Sequence, residues 1–284
     1  MNIYIVIPAH NEEAFIGLTL DSLVKQTLLP KKVVVVNDNS TDNTQNIVEG
    51  YSTKHNWIEL INSASSNQHL PGAKVIKAFY KGYNTLDENY DVICKFDADI
   101  ILPENYLKSV LNLFKSDKKV GIAGGLAYIK ENGKWIYETI SSQNHVRGPF
   151  KAYSKNCFKA IGGLKESIGW DTVDVLLAQY HGFTIKTKKT LHIKHLKPTG
   201  ENYDKEANYL QGEALYKMRY GFILTTLFAA RNALSKKSVA YFYYAIKGYF
   251  KAKEKSIDHI VNQEEGVFIR RLLWKNIFKK LNLF

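Results

Sequence analysis

The chain has 284 residues, of which 45% are hydrophobic and 23% charged, with a mean hydropathy of -0.26. This is ordinary globular composition, and it excludes a disordered or collagen-like chain. The net charge of +12 follows from 39 Lys and Arg against 27 Asp and Glu. It is uneven: from Arg231 to the end, twelve Lys and Arg face four Asp and Glu, so this last stretch carries +8. A basic tail of this kind suits an anionic surface. Cys94 and Cys157 stand in apolar contexts and cannot build a disulfide framework, which fits a reducing, cytoplasmic compartment. The opening "MNIYIVIPAH" lacks a basic stretch followed by a long apolar one, so no cleaved leader is expected. The longest apolar run, "YGFILTTLFAA", is shorter than the ~18 residues that a spanning helix needs.

In chain order, "NIYIVIP" reads as a strand and "EEAFIGLTLDSLVKQ" as an amphipathic helix, with Ile16, Leu20, Leu23 and Val24 at helical spacing. "KKVVVVN" is a buried strand, and "WIELIN", "GAKVIKAFYKGY" and "DVICKF" continue the alternation. Strands alternating with helices predict an α/β fold, a mostly parallel sheet with helices on both faces. Ligands of such sheets lie beyond the carboxyl ends of the strands. The polar segments fall there: "PAHNEE" after the first strand, "NDNSTDNT" after the second and "DAD" after the fourth. In "KFDADIILPENY" the two-residue period of a strand points Asp97 and Asp99 the same way, with Ala98 between them. Two like charges on one side suit a divalent cation with hard oxygen ligands, Mg²⁺ or Mn²⁺; a solvated acidic turn before the helix near Pro103 is the alternative.

From about Gly121 to Leu196 the pattern is mixed, with a strand in "GPFKAYS", a short helix ending at Gly162 and a further helix from Asp171 to His181. Beyond Gly200 it is helical and aromatic. In "VFIRRLLWKNIFKKLNLF", Ile269, Leu273 and Ile277 repeat every four residues, while Arg270, Arg271, Lys275, Lys279 and Lys280 are the only charges. A basic amphipathic helix with Trp and Phe fits a membrane interface, and a helix packed on its domain or on a second copy is the alternative. The division expected is 1–200, with halves at 1–100 and 101–200, followed by a helical basic segment at 201–284 that associates with membrane.

"IVIPAHNEEAFIGLTLDSLVKQT", "VVVVNDNSTDNT", "KFDADIILPENYL" and "GWDTVDVLLAQYHGF", in this order and at these separations, resemble the family 2 glycosyltransferases of the GT-A fold, of bacterial cell-envelope glycan type. The likeness covers residues 1 to about 196, and four motifs in register carry it. It implies a nucleotide-binding half in which Asp38 accepts the N3–H of a uracil and Pro8, Ala9 and His10 form the shelf under the base. Asp38 as an N-cap partner of "STDNT" stays open. Glu12 and Lys74 join that set, Glu12 equally readable as a helix-start charge and Lys74 as a solvated cation. Asp99 would bind the metal, Asp97 the ribose or the metal, and Ala98 would line the nucleotide. His195, in "HIKHLKPTG", would complete the shell unless it is an ordinary satisfied histidine. The base that takes the acceptor proton is assigned to Asp171, with the cap of its helix as the alternative; the tract departs from the family's usual acidic pair, and Asp174 is assigned a structural part. Trp170 would floor a sugar and Arg147 would face acceptor and phosphates, unless it is an ordinary surface pair.

The implied activity is inverting transfer of one sugar from a nucleotide-diphosphate sugar, a UDP-sugar, to a hydroxyl of a glycan or lipid-linked acceptor. A processive polymerase is disfavoured because no Q-x-x-R-W follows. A polyprenyl-phosphate glycosyltransferase, a nucleotidyl transferase and an inactive sugar-nucleotide-binding protein are the competing functions. The partners expected are donor, acceptor and an anionic membrane surface, with no nucleic acid, placing the protein at the inner face of the plasma membrane as a peripheral protein.

Overall fold

The computed structural model describes residues 1–64, 72–139, 142–197 and 205–281; of the tail segment 267–284, positions 282–284 lie outside the described residues. The chain divides into two compact units: Met1–Glu166 with His181–Thr199, and Ser167–Tyr180 with Gly200–Phe284.

The first unit runs β1 (Ile3–Ala9), α1 (Ile16–Val24), β2 (Lys32–Asp38), α2 (Thr44–Lys54), β3 (Ile58–Ser63), α3 (Ala73–Tyr83), β4 (Val92–Phe96), β5 (Ile100–Ile101), α4 (Tyr106–Ser116), β6 (Val120–Glu131), β7 (Lys134–Tyr137), β8 (Phe150–Ser154) and α5 (Lys155–Ala160). After α6 (Trp170–Tyr180), which belongs to the second unit, β9 (Thr184–His195) returns to it. The strands form one sheet in the order β3-β2-β1-β4-β8-β6-β9-β5, with β7 paired to β6. Ile5, Val6, Ile7 and Val33 to Val36 are fully buried, as strands covered on both faces must be.

The sheet is mixed, where the alternation in the first hundred residues predicts a mostly parallel one. β1 to β4 are parallel to one another, because a helix carries the chain back between successive strands. β8 then runs antiparallel to β4, pairing Cys94 with Ala152 and Lys95 with Lys151. The reversal is prepared by a hairpin: Asn132 and Gly133 both hold positive φ, 49° and 79°, and join β6 to β7 with Glu131 opposite Lys134. β6 and β9 are parallel, with a register shift at Gly124/Leu126. Gly125 is required there, since a Cβ on it would lie 2.4 Å from the Leu191 carbonyl oxygen.

The second unit contains α6 and the helices α7 (Lys205–Lys217), α8 (Gly221–Ser235), α9 (Val239–Glu254) and α10 (Gln263–Lys280). Backbones of α7 and α9 touch: a Cβ on Gly212 would lie 1.7 Å from the Ala245 carbonyl oxygen. Ala229, Tyr241 and Ala245 form the core between α8 and α9. α10 begins with a capping box between Asn262 and Glu265, and its first half packs on α6, with the Phe268 and Tyr180 rings 5.4 Å apart. Among the described residues no helix is long and apolar enough to cross a membrane.

Candidate active site

The carboxyl ends of β1, β2 and β4 gather the predicted polar segments. Asn11 and Asn39 take left-handed backbone, φ 52° and 56°, to turn the chain sharply after β1 and β2. His10 Nδ1–H donates to the Asp38 carbonyl oxygen at 2.7 Å, tying the two loops together beside Pro8 and Ala9. The Asp38 side chain is buried at the end of β2, and Lys74 Nζ, in the first turn of α3, lies 3.9 Å from its carboxylate. Glu12 does not cap α1 with its side chain. Its backbone carbonyl accepts from Phe15 and Ile16, and its carboxylate accepts from Lys197 Nζ at 2.6 Å. Burial raises the Glu12 pKa and Lys197 works against that rise.

The Asp97–Asp99 turn is held by α1. Thr19 Oγ1 donates to the Ala98 carbonyl at 2.7 Å and accepts from Ile100 N–H at 3.1 Å. One turn on, Ser22 Oγ accepts from Leu102 N–H at 3.2 Å; one more turn on, Gln26 donates to the Pro103 carbonyl at 2.8 Å and accepts from Leu107 N–H at 3.0 Å. Thr19 and Ser22 share one face of α1, Gln26 follows just past its end, and all three are buried. They satisfy the backbone of an extended segment that its own short strand leaves largely unpaired.

From the far side β9 closes the turn. Leu196 N–H donates to the Asp99 carbonyl at 2.9 Å, and Ile100 stands opposite His195. This brings one ligand atom each from Asp97, Asp99 and His195 within 4.8 Å of one another. His195 is buried, with Nε2 3.7 Å from Asp99 and Nδ1 3.5 Å from the Glu138 carboxylate. Burial lowers the His195 pKa despite the nearby Asp99 and Asp97, which favours a neutral imidazole with a lone pair to offer. Burial, then the Asp97 charge, raises the Asp99 pKa. Two carboxylates that repel beside a neutral imidazole fit a divalent cation such as Mn²⁺ or Mg²⁺.

Glu138 is absent from the sequence-based expectations, since a lone acid after the "KWIY" strand carries no spacing signal. Its backbone N–H donates to the Ala127 carbonyl at 2.9 Å, and its buried carboxylate pairs with both Arg147 and His195. Arg147 is therefore in a buried pair, not a surface one. Lys95 was likewise missed. It is buried in β4 and pairs with the Asp97 carboxylate, while the fully buried Lys151 stands opposite it in the register.

Trp170, Asp171 and Asp174 lie on α6, in the second unit. Trp170 is buried, Asp171 is half-buried in the first turn, and the buried Asp174 carboxylate accepts from Val175 N–H at 2.6 Å.

Residues 4–164, more than half of the chain, match the family described as Glycosyl transferase family 2. The chain belongs to this family. A probable glycosyltransferase of Bacillus subtilis, YdaM, is 37% identical over 127 residues, which cover 42% of this chain and 28% of YdaM. The chain spans between 24% and 64% of the length of the curated relatives it matches. Among solved structures, Staphylococcus aureus TarS 1-349 in complex with UDP-GlcNAc superposes with a TM-score of 0.58 at 21% identity, covering 75% of this chain and 65% of that one. The mannosyltransferase PcManGT from Pyrobaculum calidifontis, in complex with GDP-Man and Mn²⁺, superposes with a TM-score of 0.57 at 14% identity, covering 100% of this chain and 81% of that one. The family 2 chain thus has the GT-A fold.

Proposed function

We propose that this family 2 chain is an inverting glycosyltransferase that moves a single sugar from a UDP-sugar to a hydroxyl of a glycan or lipid-linked acceptor. The observation that carries the reading is the convergence of Asp97, Asp99 and His195 within 4.8 Å at the end of the sheet that also carries Asp38. TarS and PcManGT, both solved with nucleotide sugars and one with Mn²⁺, support donor and metal class.

In this reading Asp38 accepts a base N3–H, which a carboxylate can do because it only accepts, and Pro8, Ala9 and His10 support the ring. Lys74 and Glu12 complete the nucleotide's surroundings. Asp97, Asp99 and His195 would hold a divalent ion, and such an ion would supply positive charge to offset that of the departing diphosphate. Asp171 takes the acceptor proton as the acceptor oxygen bonds to the sugar C1 and the C1–O bond to phosphate breaks, inverting the centre. Motif position assigns Arg147 and Trp170 to phosphates and acceptor. A lipid-linked acceptor would place the protein at the inner face of the plasma membrane as a peripheral protein.

Purified protein incubated with a panel of nucleotide sugars and Mn²⁺ tests the donor: slow hydrolysis of one UDP-sugar is expected, and hydrolysis of none, or of GDP-sugars alone, overturns the assignment. Asp171→Asn should keep UDP binding and lower turnover by about 10² or more. Unchanged turnover would move the base elsewhere.

A further inference from the structure

The α8–α9 hairpin carries an apolar surface that nothing in the described structure covers. On α8, Ile223, Leu227 and Leu234 are 64%, 44% and 80% exposed; on α9, Val239, Tyr243 and Phe250 are 85%, 58% and 47% exposed. Each set repeats at four and then seven residues, so each is one stripe on its helix. The two stripes also share a side of the hairpin. On α8, Ile223 and Leu234 lie one residue on from Phe222 and Ala233, which meet α9; on α9, Tyr243 and Phe250 lie one on from Phe242 and Tyr249, which meet α8. In an antiparallel pair those offsets rotate toward the same side. The Phe222 and Phe250 rings, 5.4 Å apart, join the stripes at one end. On α9 the stripe is opposite Ala245 and Gly248, the positions where its backbone meets α7. A contiguous exposed apolar patch marks an interaction surface.

Charge identifies the partner. Residues 221–255 contain seven Lys and Arg (Arg231, Lys236, Lys237, Lys247, Lys251, Lys253, Lys255) and one acid, Glu254. Lys236 and Lys237 stand exposed at the hairpin turn, and Lys247 is exposed beside Tyr243, its Nζ 5.8 Å from the ring centroid. Aliphatic and aromatic side chains rimmed by lysines, with the exposed Glu254 at the last position of α9 the one acid, match an anionic bilayer: rings and branched chains enter the headgroup boundary while ammonium groups stay at the phosphates. The sequence expectation placed membrane contact on α10, but there Ile269 is fully buried and Leu272, Leu273 and Trp274 are half-buried within the unit.

We infer that the exposed face of the α8–α9 hairpin docks the protein on an anionic membrane surface. This deepens the peripheral-membrane part of the proposed function and stands independently of the donor and metal assignments.

Sedimentation of the full chain with vesicles tests it, using phosphatidylcholine alone and phosphatidylcholine containing phosphatidylglycerol, at low and high salt. The expected result is sedimentation with the anionic vesicles at low salt, weakened by high salt and by omitting phosphatidylglycerol. Two variants, Ile223→Ser/Leu227→Ser/Tyr243→Ser and Lys236→Glu/Lys237→Glu/Lys247→Glu, should each lower partition about tenfold or more. Phe278→Ser/Leu281→Ser, at the end of α10 and its cap, should leave it unchanged. The inference is overturned if the wild type stays in the supernatant at low salt, if both hairpin variants sediment like the wild type, or if the α10 variant alone loses binding. It is also overturned if sedimentation velocity shows a dimer that the apolar variant dissolves, since the face would then meet a second copy. Should the apolar variant unfold by circular dichroism, the charge-reversal variant decides alone. UDP calorimetry on the same preparations separates a failed membrane inference from a failed nucleotide reading.

Discussion

The end of the sheet in the first unit and the α8–α9 hairpin in the second depart from ordinary burial in opposite directions. At the sheet end Asp38, Asp99, Glu138, Arg147, Lys95 and His195 are buried. On the hairpin Ile223, Leu234, Val239 and Tyr243 are exposed. Burying charge costs desolvation energy unless partners offset it, and exposing apolar surface forgoes the hydrophobic gain. In the first region the offset is visible as paired charges and as the polar face of α1. In the second no offset is visible within the described unit, so it is to be sought outside it. Both departures are places where local chemistry serves something other than stability.

The largest expected effect comes from removing the charge pair that the sheet end was built to hold. Asp99→Ala should abolish the Mn²⁺ dependence of UDP binding, measured by calorimetry with and without the ion. If the wild type binds UDP equally well in both conditions, the buried acids have a structural explanation and the contrast between the two regions collapses.

Glu138→Gln probes the next layer. With Nδ1–H directed at the Glu138 carboxylate, His195 presents its Nε2 lone pair toward Asp99, the arrangement by which an outer carboxylate fixes a ligating imidazole. Weakening of Mn²⁺ affinity by about 10-fold to 100-fold is expected, read by titration of the metal in the presence of UDP. An unchanged titration, with the fold intact, would make Glu138 only a partner for Arg147.

How far the sequence carried this reading differs between the same two regions. Strand ends announce themselves by residue type: polar segments follow the largely apolar runs of β1, β2 and β4, with Asp38 after the second and Asp97 and Asp99 after the fourth, and three such ends in one alternating α/β pattern are hard to produce by accident. The second half of the sheet was less legible. The Asn132–Gly133 dipeptide was a readable hairpin signal, yet the pairing of β8 between β4 and β6 depends on contacts distant in sequence, which periodicity does not encode. The same holds for Glu138; His195 enters the metal set through the family resemblance, and its position opposite Ile100 is seen once β9 lies against β5. Thr19, Ser22 and Gln26 were hidden for another reason. In "GLTLDSLVKQ" they look like the solvent side of an amphipathic helix, and only the backbone groups of residues 98–107 make that side a buried one. On the hairpin, composition beyond Gly200 reads as helical and aromatic but does not tell which apolar stripe faces the unit and which faces outward.

Thr19→Val tests that hidden stripe directly. The shape is kept, but the Ala98 carbonyl and the Ile100 N–H lose their shared partner inside the core. Destabilisation of about 1–3 kcal/mol is expected from leaving such groups unsatisfied, measured by denaturant unfolding. A neutral result would mean that water or a backbone shift replaces the hydroxyl, and that α1 does not fix the Asp97–Asp99 turn.

The smallest expected effect falls on the hairpin, and its smallness is the informative part. Ile223→Ser and Val239→Ser each remove a large apolar group that is already mostly in solvent, so little hydrophobic free energy is lost with it. Val239 is the first residue of α9, behind the Ser238 cap that accepts from Tyr241 N–H, and a serine there leaves the cap in place. Unfolding free energies in vesicle-free buffer should therefore stay within about 0.5 kcal/mol of the wild type, the range of ordinary surface substitutions. Paired with Thr19→Val, the measurement sets a polar group that the fold needs against apolar groups that it does not. If the two hairpin variants instead destabilise the protein as much as Thr19→Val, the stripe is packed in solution against a second copy or another stretch of polypeptide. The surface would then already be occupied and no longer free to meet a membrane.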